Sequence, residues 1–262
     1  MAFTENGDAY LVENNKTSKL NTGNLPSGQV FFMQTNPKAT RWFAGVTHDN
    51  RSELLTATSL DGKWETLYSE NIEFSQWSGA RNVWTAKLPN GFVFASSNSP
   101  DIRCYDFSTE KWTLSNIPRK RTLLDLRANS KTGAMGILTG PGGGFAGAFA
   151  TPLLTTQCGA NWVEIKNPYT VQVAAPIPFN DASIAAIGGV FGDTGMYVSS
   201  DNGKTWQKKT NQTVLSDRFY QSEHNGLFLV SNGANGWEVV SNSKDNGATW
   251  ATELSSFDQR LK

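Results

Sequence analysis

Cysteine and histidine are nearly absent, with two of each in 262 residues. Two cysteines make no disulfide framework. Cys104 and Cys158 also stand at different points of their local pattern, eight and four residues before the next marker tryptophan. The expectation is two unpaired, buried thiols. His48 and His224 each fall in or beside an expected turn with no Cys or His at ligand spacing, which argues against zinc. Calcium loops of the D-x-D-x-D-G kind are missing too, so no metal or other cofactor is expected. Net charge is absent: 23 basic residues balance 23 acidic ones, and a general nucleic-acid partner normally needs a basic excess. No apolar run approaches the ~20 residues that span a bilayer, so membrane insertion is not expected. The opening Met1-Ala2-Phe3-Thr4-Glu5-Asn6 has neither a positive start nor an apolar stretch. No signal peptide is therefore expected. The chain reads as soluble, cytoplasmic or incorporated into an assembled particle. Without a secretory signal the sequons at Asn15, Asn50 and Asn211 carry no weight.

What the chain has in quantity is glycine, at 24 residues, and aromatic side chains, with 9 Trp and 15 Phe, a composition suited to short strands and many turns. The organising stretch is Ser199-Ser200-Asp201-Asn202-Gly203-Lys204-Thr205-Trp206. Its pattern, S-x-D-x-G-x-T-W, returns in full at Ser243-Lys244-Asp245-Asn246-Gly247-Ala248-Thr249-Trp250, 44 residues later. A repeat of this length marks stacked supersecondary units. Each copy follows an alternating segment, Gly195–Ser199 or Trp237–Ser241, of the kind that forms a strand with one buried face. Asp-Asn-Gly supplies a tight turn, the Asp accepting from backbone N–H groups and the Gly permitting positive φ. The Trp opens the returning strand and offers an apolar face for packing against the next unit. Ser199, Asp201, Gly203, Thr205 and Trp206, and likewise Ser243, Asp245, Gly247, Thr249 and Trp250, all have structural roles on this reading.

The motif resembles the Asp-box, or BNR repeat, of sialidases and of many non-enzymatic β-propellers. That resemblance implies a turn between the two outer strands of a blade, away from any active site, so Asp201 and Asp245 are not expected to be catalytic. Weaker copies extend the pattern upstream: Thr155–Trp162 keeps Gly and Trp, Phe107–Trp112 keeps a turn and Trp, and Ser59–Trp64 is a shortened box. Trp64, Trp112, Trp162, Trp206 and Trp250 thus mark five repeats, each with four strand-like runs. Four strands in a repeat of this length make a propeller blade.

Ala2–Thr4, Ala9–Glu13 and Lys19–Thr22 read as three strands of a further blade, with Ser256–Leu261 placed to supply its innermost strand. Sharing one blade between both termini removes an exposed edge. The expectation is an all-β fold, a single β-propeller domain over residues 1–262 with six four-stranded blades, one closed by both termini. Five blades plus a half-blade completed by a partner chain is the alternative.

Chemistry is harder to find. Gly142–Gly147 matches G-x-G-x-x-G, but a nucleotide site needs that loop between a strand and a helix. A β-rich run follows instead, so it reads as a hairpin loop. The sialidase resemblance brings an expectation of an arginine-bearing N-terminal motif, three clustered arginines and a Tyr–Glu pair. Asn116-Ile117-Pro118-Arg119 has the motif's elements in the wrong order, and Arg41, Arg51, Arg81 and Arg103 have no cluster spacing. No catalytic residue is singled out. Two stretches suit binding: Arg119-Lys120-Arg121, the densest charge, and the aromatic connection Phe74–Trp84, in which Trp77 and Arg81 would be presented. The leading expectation is a non-catalytic recognition or assembly module that holds a protein or glycan through loops at one face, as part of a larger particle such as a phage virion, with oligomerisation compatible. The alternative is a glycan-active hydrolase of sialidase-like fold.

Overall fold

The structure is a computed structural model. It describes residues 2–3, 8–13, 16–48, 50–72, 83–96, 99–118, 122–140, 150–156, 158–166, 175–178, 184–188, 195–210, 214–221, 227–232, 238–245 and 249–255. The chain divides into two compact units, Met1–Thr85 with Asp106–Lys111, and Ala86–Tyr105 with Trp112–Lys262. Every regular element among the described residues is a strand.

An N-terminal sheet holds β1 (Ala2–Phe3), β2 (Ala9–Glu13) and β3 (Lys16–Lys19) in that order. Five four-stranded sheets follow. The first comprises β4 (Gln29–Thr35), β5 (Trp42–His48), β6 (Arg51–Ala57) and β7 (Glu65–Asn71). The second comprises β8 (Val83–Leu88), β9 (Gly91–Ser96), β10 (Asp101–Asp106) and β11 (Lys111–Asn116). In the third are β12 (Thr122–Ala128), β13 (Met135–Gly140), β14 (Thr151–Thr155) and β15 (Val163–Glu164). The fourth has β16 (Ile177–Pro178), β17 (Ile184–Gly188), β18 (Gly195–Ser199) and β19 (Gln207–Thr210). β20 (Val214–Gln221), β21 (Leu227–Asn232), β22 (Glu238–Ser243) and β23 (Ala251–Ser255) form the fifth. Strands neighbour one another in sequence order throughout, as short antiparallel hairpins require.

Burial follows strand position. The second strands carry the apolar runs and are the core: β9 and β13 are buried at all six residues. Phe92 and Phe94 on β9, and Met135 and Ile137 on β13, have no exposure at all. The last strands are the most exposed, as in β11 and β15, and there Leu114 and Val163 stand open at 60% and 61%. A buried isoleucine closes each of three last strands, its N–H returning to the same sheet: Ile72 to Asn50, Ile117 to Pro100 and Ile165 to Pro152.

Two expectations need correction. The third N-terminal strand is Lys16–Lys19 rather than Lys19–Thr22. Thr22 and Asn24 serve instead as a socket: the Trp64 ring N–H donates to the Thr22 carbonyl at 2.9 Å, and its backbone N–H to Asn24 Oδ1 at 2.8 Å. Cys104 and Cys158 are not free thiols but a disulfide, with Cα atoms 6.2 Å apart. Counting each cysteine within its own repeat misleads, because the turn carrying Cys158 lies on the preceding sheet, where Cys104 resides. The tail Ser256–Leu261 lies outside the described residues.

Candidate functional site

The box turns are the best-defined polar constellations. At the end of β18, Asp201 Oδ1 accepts from the Ser199 hydroxyl at 2.7 Å and from the backbone N–H of Thr205 at 2.9 Å. Its Oδ2 accepts from the Thr205 hydroxyl at 2.7 Å. Ser199 Oγ in turn accepts from the Gly203 N–H at 2.8 Å. Asn202 and Gly203 take φ of 57° and 79°, the left-handed pair that lets the chain reverse here. Asp245 repeats the arrangement with Ser243 at 2.8 Å and with the Thr249 N–H and hydroxyl at 2.8 and 2.6 Å. Gly247 lies outside the described residues.

These donors stabilise the ionised carboxylates. The Thr205 N–H, then the Thr205 and Ser199 hydroxyls, bring Asp201 down to about 2. The Thr249 hydroxyl, then its N–H and the Ser243 hydroxyl, bring Asp245 down to about 2. Because the folded values are depressed, the stabilisation is complete above the ordinary value of 3.8 and is lost as pH falls towards 2. We expect Asp201→Asn/Asp245→Asn to melt earlier than the parent at pH 7, with the gap closing between about pH 4 and pH 2. A melting series over that range checks it; a gap independent of pH would deny the carboxylates their role.

Trp162 and Trp206 point back to the preceding sheet, not forward. Trp206 Nε1 donates to the Lys166 carbonyl at 3.0 Å, and Trp162 Nε1 to Ser115 Oγ at 3.3 Å. Trp112 behaves differently and packs on Phe92 and Tyr105 of its own sheet. Its turn is organised by Asp106, whose Oδ1 accepts from the N–H groups of Ser108 and Thr109 at 2.8 and 2.9 Å. Sequence inspection missed Asp106; the signal was an Asp two residues before Ser-Thr, an Asx turn.

Strand alternation sorts the connections. In each four-stranded sheet the first-to-second and third-to-fourth turns share one end, and the second-to-third turn and the link to the next sheet share the other. The boxes occupy the first end. The connections β7–β8, which carries Trp77 and Arg81, and β11–β12, which carries Arg119, Lys120 and Arg121, start and finish at the second. Those five residues lie outside the described set, but their flanks Ile72, Val83, Pro118 and Thr122 fix which sheet end the two connections leave. Gly142–Gly147 joins β13 to β14, whose strands pair antiparallel from Thr139–Thr151 to Met135–Thr155. It is thus a connection between hairpin strands, with its own residues outside the described set.

In three of the sheets, opposite charges pair two residues apart on one strand face. Arg51 and Glu53 begin β6: Arg51 Nε meets Glu53 Oε1 at 3.2 Å, His48 Nε2 meets Glu53 Oε2 at 3.0 Å, and Arg51 also donates to Ser69 Oγ at 2.8 Å. Nearby, Tyr68 donates to Glu70 at 2.8 Å. Asp101 and Arg103 begin β10 and pair at 3.3 Å, with Arg103 also reaching Ser99 Oγ at 3.2 Å. Asp125 and Arg127 pair on β12 at 3.0 Å, and Asp125 accepts the Ala175 N–H at 2.9 Å. Arg41 meets Glu110 at 3.0 Å. Arg41, Arg51 and Arg103 are thus each held by a different local carboxylate, while Arg81 lies outside the described residues. Among the described residues no group of three or more His, Cys, Asp or Glu side chains could hold a metal ion. No helix among them is long and apolar enough to cross a membrane.

This succession of four-stranded antiparallel sheets is the fold of a β-propeller, and solved β-propeller structures match it. The chain is similar to TolB from Acinetobacter baumannii, at a TM-score of 0.61 and 13% identity over 96% of this chain and 60% of that one. It is similar to an oligogalacturonate lyase from Vibrio parahaemolyticus, at 0.62 and 10% over 95% and 72%. It is similar as well to an oligogalacturonate lyase in complex with manganese, at 0.61 and 10% over 87% and 66%. At such identities the likeness is one of fold. The chain spans between 60% and 72% of the length of these structures. No family model matches the sequence. No curated protein matches it either.

Proposed function

We propose that the chain is a non-catalytic recognition or assembly module: a single Asp-box β-propeller domain over residues 1–262 that holds a protein or glycan through connections at the sheet ends opposite the boxes. Trp77 and Arg81 would provide a stacking and ion-pairing contact, and Arg119, Lys120 and Arg121 an electrostatic one. The observation that carries this reading is the strand order, which sends both connections out at the end the boxes do not use. The boxes themselves are saturated with local hydrogen bonds, and three described arginines are each engaged by a neighbouring carboxylate. On this reading six blades are present, the N-terminal sheet being completed by Ser256–Leu261. The Cys104–Cys158 bridge favours a setting such as a virion or cell surface over a reducing cytoplasm.

The test compares the parent chain with Trp77→Ala and with Arg119→Glu/Lys120→Glu/Arg121→Glu, by glycan array and by light scattering. We expect binding or self-association to fall about tenfold or more in the charge-reversed variant while its melting temperature stays within a few degrees. Unchanged binding in both variants would remove these connections from the site. Glycan cleavage by the parent chain would overturn the non-catalytic reading.

A further inference from the structure

We propose that the Cys104–Cys158 disulfide is a redox-operated latch that fastens the third sheet's box turn and last strand onto the second sheet, closing in an oxidising setting and opening to a dithiol without unfolding the sheets. The inference stands on how that turn differs from the intact box 44 residues downstream. Thr155 and Gly159 match Ser199 and Gly203 and keep their bond: the Gly159 N–H donates to Thr155 Oγ1 at 3.2 Å, as the Gly203 N–H donates to Ser199 at 2.8 Å. The backbone is also the same, with φ of 45° and 76° at Cys158 and Gly159 beside 57° and 79° at Asn202 and Gly203. What is missing is the carboxylate. Gln157 stands where Asp201 does and Asn161 where Thr205 does, so this turn lacks the anion that organises the intact boxes.

The strand that follows is short as well. β15 has two residues, against seven in β7 and six in β11, and pairs with β14 only at Leu153–Glu164 and Leu154–Val163. Its backbone ladder therefore resists fraying less than the other last strands do. Cys158 occupies the left-handed position held by Asn202 and is tied across to β10. Ser115 of the second sheet also holds the turn, donating to the Gly159 carbonyl and accepting from Trp162. The bridge thus replaces in covalent form what the Asp supplies elsewhere.

Access is one-sided. Cys104 is buried at 7% exposure while Cys158 is half-buried at the surface turn. A thiolate of a dithiol reductant attacks Cys158 Sγ, the S–S bond breaks, and Cys104 leaves as a thiolate that takes a proton from water. The second thiol of the reductant then displaces Cys158. Two electrons pass from the dithiol, which becomes a cyclic disulfide, to the bridge, which becomes two thiols.

Hydrogen exchange on the whole chain, with and without dithiothreitol, tests the latch, with Cys104→Ser/Cys158→Ser as a second sample. We expect reduction to lower protection at residues 158–166 by about tenfold or more, leave β13 unchanged, and have no effect on the double variant. Equal protection at 158–166 in both redox states would overturn the proposal. So would loss of protection throughout the chain in one step, or two titratable thiols in oxidised protein. If the double variant fails to fold, the redox pair on the parent chain still decides.

Discussion

Phe92→Ala is expected to cost about 4 kcal/mol, among the largest losses from any single side chain here. Phe92 is on β9, buried at every residue, and its ring has no solvent exposure. It lies 5.4 Å from the Tyr105 ring in a stacked arrangement and 5.7 Å from the Trp112 ring edge-on, while Tyr105 and Trp112 are 5.0 Å apart. The three rings tie the second, third and fourth strands of the second sheet together. Truncation to Ala removes the transfer free energy of the ring and leaves a cavity that two other rings cannot fill without leaving their own positions. Phe92→Leu keeps most of the volume and should cost about 1 kcal/mol. For a domain of this size the Ala variant should melt about 10 °C lower than the parent, measured by calorimetry. A loss below about 1 kcal/mol would mean that the ring cluster does not organise the sheet.

Much of the strand layout could be read from residue pattern alone. Asp-Asn-Gly turns, marker tryptophans and alternating apolar runs are local, so they place strands without knowledge of the tertiary structure. The expected strand Ala9–Glu13 is recovered to the residue as β2. Where a segment has a tertiary duty, local pattern fails. Thr22 looks like the end of a strand, but its carbonyl accepts the ring N–H of Trp64, 42 residues later. The same blindness hid the disulfide, since pairing depends on which turn settles on which neighbour. It also reversed the direction in which Trp162 and Trp206 pack. A Trp at the start of a strand has an apolar face in either direction; only the Lys166 and Ser115 acceptors fix which way it turns.

The candidate site was legible to a lesser degree. Hydrogen-bonding capacity within the boxes follows from residue type, which is why Ser199, Asp201 and Thr205 fall where the motif puts them. The pairs Arg51–Glu53, Asp101–Arg103 and Asp125–Arg127 share an i, i+2 spacing that puts both charges on one strand face. That spacing is visible in the sequence once the strands are placed, yet it reads as ordinary surface alternation until the ends of the sheets are sorted. Ligand identity is a property of side chains that converge from separate sheets, and no local spacing encodes it.

Gly136→Ala is expected to be more disruptive than the loss of any exposed side chain, although it adds a single methyl group. Gly136 is the second residue of β13, where its backbone is ordinary strand and no positive φ is involved. The constraint is proximity: a Cβ built there lands on the carbonyl oxygen of Pro176, well inside contact distance, and lies 2.9 Å from that residue's carbonyl carbon. Pro176 cannot yield easily. Its neighbours Ala175 and Pro178 are held by the third sheet, the first through Asp125 Oδ2 at 2.9 Å and the second through Asn129 Nδ2 at 3.0 Å. β16 follows at once, pairing at Ile177–Ala185 and Pro178–Ile184. The methyl group must therefore push the third and fourth sheets apart or bend a fully buried strand, and overpacking of this kind costs about 3 kcal/mol. Denaturant titration of the Gly136→Ala chain should show a lower midpoint at an unchanged slope. Adding Asp125→Ala, which loosens the Ala175 tether, should then cost less in the Gly136→Ala background than in the parent. Strict additivity of the two changes would show that Pro176 is not held as these hydrogen bonds imply.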